Sequence, residues 1–283
     1  MVIIAELLDP KNDYVFKRIF GHIGNEGITA NLVSAILKKK ITNLELDKKT
    51  ILDKDFSDDK IGILDIRATI DDKINCNIEM QVTDYKDIEK RILFYWSKMY
   101  SQSIKSGEQY NELEKNIVIL ITDYEIETLK EIPKYITKWN IREEEYSKII
   151  LTDTLEICII ELAKFNKDVK KENNIDLNRW IEFIRNPGGI GMDEKNKAIK
   201  EAKEVLEEIS QDEHERYLAE LREKYIRDQN AAANMYGDGL KKGRQEGSKS
   251  KAQDIARKLK EENVDINIIS KTTGLSIEEI QKL

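Results

Sequence analysis

Apolar positions recur three and four apart at Val15, Phe16, Ile19 and Phe20, which predicts a first helix. Asp9 is its expected N-cap, with Pro10 at the first helical position and Gly21 closing the turn. A second helical pattern spans about Ile28 to Lys39, with Leu32, Ile36 and Leu37 inward. Between Lys60 and Val82 the period shortens to two. Leu64, Ile66, Ala68 and Ile70 alternate with polar neighbours, and Ile74, Cys76, Ile78 and Met80 do the same, so two strands are expected. A proline-free helix follows from about Asp84 to Ser106, ended by Gly107, with Ile88, Ile92, Trp96 and Met99 on one face. The continuous apolar run from Ile117 to Thr122 is too short for a helix and reads as a buried central strand. Tyr135 to Ile141 and Ile150 to Glu161 alternate again, completing a mixed sheet in an α/β region of about 165 residues.

After Phe165 the strand signal stops. Leu177 to Ile184, Lys195 to Ile209 and Glu213 to Tyr236 read as helices with charged outer faces. Gly237, Gly239, Gly243 and Gly247 then punctuate a basic stretch. Two short helices end the chain, around Ile266 to Thr272 and Ile277 to Leu283, separated by Gly274, with Ser276 and Glu279 as a capping box. The expected organisation is an α/β domain over 1–165, a helical region over 166–236, and a basic stretch with a helical oligomerisation or helix-turn-helix-like module over 237–283.

The two central strands can be paired. With Asp71, Asp72 and Lys73 as a three-residue loop, Ile70 faces Ile74, Ala68 faces Cys76 and Ile66 faces Ile78, giving one apolar face. On the other face the same register sets Thr69 against Asn75, Arg67 against Asn77, Asp65 against Glu79 and Ile63 against Gln81. Opposed carboxylates have Cβ atoms about 5 Å apart and destabilise the pair unless a cation neutralises them. Oxygen ligands select a hard ion such as Mg²⁺ or Mn²⁺, which polarises a phosphodiester and lowers the pKa of an attacking water. The competing reading is a solvated hairpin face on which Arg67 satisfies the acids.

Composition narrows the chemistry. Charged residues form 36 % of the 283, and no stretch approaches the roughly 18 apolar residues a bilayer span needs. The apolar opening lacks a basic leader, so a cytoplasmic protein without a membrane segment is expected. Cys76 and Cys158 read as buried free thiols, and only two histidines, His22 and His214, are present, which argues against zinc ligation and leaves carboxylates to carry any chemistry. The net charge of −7 disfavours phosphate contacts, yet Asp238 to Lys260 holds eight basic residues against three acidic, among them Lys241, Lys242 and Arg244.

Several segments together resemble a known family. Asp65, then Glu79-Met80-Gln81 on the next strand, followed by a helix, is similar to the D…(D/E)xK arrangement of PD-(D/E)XK nucleases, and the segments Asp9 to Gly21, Leu64-Asp65-Ile66-Arg67-Ala68 and Asn77-Ile78-Glu79-Met80-Gln81 carry a closer family likeness. The likeness is to the Rpn family of recombination-promoting nucleases, also described as PD-(D/E)XK nuclease family transposases. Arg91, Tyr95, Tyr100, Gly107 and Tyr110 match as well, over about residues 7 to 163, and the tail from Ile269 to Ile280 is similar too. The resemblance implies a restriction-endonuclease-like mixed sheet flanked by helices. It also implies metal ligation by Asp65 and Glu79, and Gln81 where the superfamily has a water-orienting lysine. Gln81 brings no positive charge, so Lys17 and Lys98 are weighed as substitute cations. Asp13, four residues before Lys17, either extends the site or forms an ordinary surface pair. Arg91 and Tyr95 share a helical face from which to contact phosphate or brace the carboxylates.

The expected function is a dimeric Mg²⁺-dependent (or Mn²⁺-dependent) DNA endonuclease without an organic cofactor, linked by resemblance to recombination, mobile elements or defence. A catalytically silent DNA-binding or regulatory protein of the same fold, and a ribonuclease, stay open as alternatives.

Overall fold

A computed structural model describes residues 6–47, 66–84, 86–168, 174–191 and 194–283, with the side chains of 233, 234, 236–238, 240 and 241 excepted. Leu64, Asp65 and Ile63, on which part of the hairpin reading rests, lie outside the described residues. The chain divides into two compact units, Met1–Lys224 and Tyr225–Leu283.

In the first unit the elements run α1 (Asp13–Phe20), α2 (Glu26–Leu37), β1 (Leu44–Leu46), β2 (Ile66–Ile70), β3 (Ile74–Gln81), α3 (Ile88–Gln102), β4 (Lys115–Thr122), β5 (Ile136–Trp139), β6 (Leu155–Glu161), α4 (Ile175–Arg185) and α5 (Lys197–Gln211). The six strands form one sheet in the order β1-β2-β3-β4-β6-β5. β2 pairs antiparallel with both β1 and β3, β3, β4 and β6 run parallel, and β5 returns antiparallel at the edge. This is the mixed α/β sheet that the alternation predicts.

The β2–β3 register is the expected one for every described pair, from Ile70↔Ile74 to Ile66↔Ile78. Turn chemistry fixes it. Asp71 and Asp72 adopt positive φ, which Asp tolerates better than most residues. The Asp71 carboxylate also accepts hydrogen bonds from the Thr42 and Asn43 amides and the Thr42 hydroxyl, tying the loop to the start of β1. Those bonds hold its pKa below the ordinary 3.8.

Both faces of the sheet are covered. The larger cluster joins Ile66, Cys76, Ile78, Met80, Ile119 and Ile160 to α1, α2, α4 and α5, with Trp180, Phe16 and Phe20 at its centre. The opposite face packs Val118, Leu120, Ile157 and Ile159 beneath Ile88 and Ile92 of α3. The polar row of β3 lies on this α3 side and is therefore not a solvated face. Cys76 and Cys158 are free and buried, and burial raises both thiol pKa values, that of Cys158 to about 12, so they are inert packing.

One expectation at α1 is corrected. The N-cap is Asn12, whose side chain accepts from the Tyr14 and Val15 amides, and the helix begins at Asp13. Asp9 closes a preceding turn instead, accepting from the Lys11 amide. Asn12 lies where the cap oxygen can reach the first free amides, whereas Asp9-Pro10 meets only the sequence preference.

Helix α6 runs unbroken from Glu213 to Glu261, across the division between the units. The expected end near Tyr236 is thus corrected, and the glycines at 237, 239, 243 and 247 are helical. Each costs about 1 kcal/mol relative to Ala, which the flanking Lys, Arg, Gln, Glu and Ala tolerate.

In the second unit, α7 (Ile266–Thr273) and α8 (Ile277–Gln281) close a small core of Ala256, Ile269, Leu275 and Ile280 against the end of α6. Gly274 is the left-handed C-cap of α7, and the Ser276–Glu279 capping box is present as expected. Lys260 donates to the Ile280 and Gln281 carbonyls at 3.2 Å each, a cation at the C-terminus of α8.

Candidate active site

Alternation along β3 puts Asn77, Glu79 and Gln81 on one face, under α3. Glu79 is 4 % exposed. Its Oε1 accepts from Arg91 Nη2 at 2.9 Å and from Gln81 Nε2 at 2.5 Å. Arg91 comes from the first turns of α3, and its Nε donates to the Tyr95 hydroxyl at 3.2 Å, one turn further along the same face. Its guanidinium also lies 5.4 Å from the Tyr95 ring centroid. Four residues expected at the site are thus joined: Glu79, Gln81, Arg91 and Tyr95.

The positive charge beside the carboxylate is therefore an arginine from α3. A buried carboxylate is tolerated only when charge or hydrogen bonds compensate it, and Arg91 supplies both. Of the two cations weighed from sequence, Lys98 is exposed two turns beyond Arg91, while Lys17 is buried in α1. Asn77, two residues before Glu79, is 3 % exposed, and neither atom of its amide has a hydrogen-bond partner among the described residues. Such a group costs about 1 to 3 kcal/mol, so Asn77 does not improve stability.

Asp13 and Lys17 are both buried, which removes the surface-pair reading. Asp13 is held by Arg222 of α6, whose Nε lies 2.9 Å from both carboxylate oxygens and whose Nη2 is 2.5 Å from Oδ2. Three further contacts fasten the same stretch of α6 to α1. Tyr14 donates to Glu215 at 2.8 Å, Arg18 forms a two-point ion pair with Glu215, and the Asn12 amide donates to the Ala219 carbonyl. Burial and the Glu215 hydrogen bond raise the Tyr14 pKa above its ordinary value. Asp13 makes no hydrogen bond or ion pair with Glu79 among the described residues.

At the sheet end the Asp123 amide donates to the Gln81 carbonyl, and the Asp123 carboxylate takes the Lys11 ammonium at 3.0 Å. Burial pulls the Lys11 pKa down, but the hydrogen bond it donates to Asp123 and the charges of Asp9 and Asp123 outweigh it, so the net shift is upward. Lys241, Lys242 and Arg244 all lie on the second-unit part of α6, where Lys242 and Arg244 are exposed. Sequence reasoning did not single out Arg222, Asn77, Lys11 or Asp123. Only Asn77 carried a signal, as a polar residue in the same alternating row as Glu79.

The donors available around Glu79 are carboxylate and amide oxygens, a set suited to a hard divalent cation and unsuited to zinc. Among the described residues no cluster of three or more His, Cys, Asp or Glu could hold a metal.

With a mixed sheet carrying an acid and Gln81 on β3, and a basic helix packed above them, the architecture is restriction-endonuclease-like. Residues 10–235 match the family described as PD-(D/E)XK nuclease family transposase, and the chain belongs to it. No curated protein and no solved structure gives a match. Membership supports a nuclease-type function; PD-(D/E)XK nucleases typically use divalent metals and act on nucleic acid. Among the described residues no helix is long and apolar enough to cross a membrane.

Proposed function

We propose that the chain is a Mg²⁺- or Mn²⁺-dependent endonuclease that hydrolyses phosphodiester bonds of DNA, with Asp65, Glu79 and Gln81 at its centre. The observation that carries this reading is the buried Glu79 carboxylate at the end of β3, bound to Gln81 and to an arginine in contact with solvent. Asp65 enters from the sequence register, as the acid opposite Glu79.

Asp65 and Glu79 would hold the ion, which when bound supplies Lewis acidity to the phosphodiester and a more acidic water. The protein groups divide the remaining work. Gln81 directs its amide N–H to Glu79, leaving its carbonyl oxygen to accept from the attacking water and so orient it. Arg91 holds Glu79 in one orientation, and Tyr95 fixes Arg91 in turn. As a partly exposed guanidinium, Arg91 can also meet a phosphate oxygen. Asp13, held by Arg222, contributes by fixing α1 beside the sheet. Two copies acting on opposite strands would cut a duplex, which supports a dimer, and the family's description links the activity to DNA mobility.

Asp65→Ala should abolish plasmid cleavage in Mg²⁺ and Mn²⁺ while leaving the folded protein intact. Unchanged cleavage by the purified variant would remove Asp65 from the site. A wild type that binds DNA yet cuts neither DNA nor RNA with any divalent ion would favour a silent binding protein.

A further inference from the structure

A cavity of about 530 Å³ opens along the β5 edge of the first unit, and one of about 370 Å³ lies between the end of α2 and the start of α4. Lys38, at the left-handed C-cap of α2, lines both. The larger is lined by Lys134, Lys138 and Trp139, and the smaller by Lys39 and Lys40. Among the described residues that line them, the only carboxylate is that of Asp176. In a chain of net charge −7, five lysines against one acid is a concentrated positive field.

Among the described residues, the side-chain ammonium groups of Lys39, Lys40, Lys134 and Lys138 form no ion pair, unlike those of Lys11, Lys115, Lys164 and Lys167, which each hold a carboxylate. All five groove lysines are exposed. Trp139 is 40 % exposed, and its indole N–H is held by the Thr137 hydroxyl at 2.9 Å, which fixes the ring's edge and leaves a face available.

The sheet register connects this edge to Glu79. Glu79, Leu120, Ile159 and Thr137 form one row across β3, β4, β6 and β5, and Asn77, Val118, Ile157 and Trp139 form the next. Residues in one row share a face, so Trp139 lies on the α3 side with Glu79, whereas Lys138, in the row of Ile78, Ile119 and Cys158, lies on the opposite side of this edge strand. Three strand spacings of about 4.8 Å separate β5 from β3, or about 14 Å.

We infer that this lysine groove holds the phosphodiester backbone of a nucleic-acid strand at the β5 edge, with Trp139 stacking on an unpaired base. Lysines at uncommitted positions neutralise successive phosphates, and an aromatic face takes any base. The inference deepens the nuclease reading and rests on it for the substrate class, but its binding test does not.

The test uses the full chain in EDTA with fluorescein-labelled single-stranded DNA, the matching duplex, and single-stranded RNA, titrated over a range of salt. The combined variant Lys39→Gln, Lys134→Gln and Lys138→Gln should weaken single-strand binding about tenfold or more. It should also lower the slope of log Kd against log salt by about 2, at roughly 0.7 for each phosphate that is no longer neutralised. Trp139→Ala should cost about tenfold on single strands and little on the duplex. In Mg²⁺ the lysine variant should lose more cleavage at low strand concentration than at saturation, a KM effect above all.

Equal affinity and equal salt slope for wild type and lysine variant would overturn the groove, as would a wild type that binds none of the three probes. Equal losses from Trp139→Ala on single strand and duplex would overturn the stacking role. A wild type that cuts nothing, but whose affinity the lysine variant lowers, would leave the groove standing and sink the nuclease reading. Active wild type with an unaffected lysine variant gives the reverse.

Discussion

Two buried carboxylates sit at the same end of the parallel strands, Glu79 on β3 and Glu161 at the end of β6, and each faces a cation. Around Glu161 every polar group is engaged. The Ile126 amide donates to Oε1 at 2.8 Å, and Lys164 Nζ takes Oε2 at 2.8 Å while also donating to the Leu129 and Ile132 carbonyls. The Lys164 side chain is 4 % exposed, so this pair is sealed. Around Glu79 the cation is an arginine 28 % exposed, held partly by a tyrosine, and the third member is an amide that retains an acceptor. The first arrangement pins the loop before β5 onto the sheet. The second leaves charge and hydrogen-bonding capacity where solvent can reach, as chemistry requires. Burial of an acid alone does not identify a site; the way its surroundings are satisfied does.

The comparison can be broken from either side. Glu161→Ala leaves Lys164 buried and unpaired, so urea unfolding should show a loss of about 3 to 5 kcal/mol, with cleavage per folded molecule kept. A Glu161→Ala protein of wild-type stability would contradict the structural role. Arg222→Met tests an intermediate pair, since the Arg222 side chain is 13 % exposed, between the 4 % of Lys164 and the 28 % of Arg91. A smaller loss, about 1.5 to 3 kcal/mol, is expected from the charged hydrogen bonds removed, with proteolysis of the α6 segment accelerated. Gly243→Ala sits outside both pairs. Nothing lies within 4 Å of the added Cβ, so hydrogen exchange around that part of α6 should slow by the equivalent of up to about 1 kcal/mol. Faster exchange there would mean the glycine serves a contact of its own.

Sequence carried a good part of this because several features are local. The β2–β3 register follows from strict alternation and one loop, and the structure keeps it over all five described pairs. The central strand from Ile117 to Thr122 and the Ser276 capping box are legible for the same reason: their determinants lie within a few residues. What sequence does not disclose is distant or degenerate. Arg222 lies 209 residues from Asp13, and no period links them. Asp9 and Asn12 are both competent caps, and only the path of the chain chooses between them. Helix α6 outlasts its glycines because breaking propensity is a modest sum that good neighbours offset. Arg91 stood among the expected residues, but its place on Glu79 depends on how α3 crosses the sheet. The lysine groove is assembled from α2 and β5, about a hundred residues apart, and shows no charge run longer than Lys38-Lys39-Lys40.

The central claim is that Glu79 is the acid of a phosphodiester-cleaving centre, and Glu79→Gln tests it with almost no change of shape. Plasmid cleavage in Mg²⁺ and Mn²⁺ should fall to background while the thermal midpoint and circular dichroism stay close to wild type. Cleavage by Glu79→Gln at the wild-type rate would contradict the claim and make Glu79, like Glu161, a structural acid.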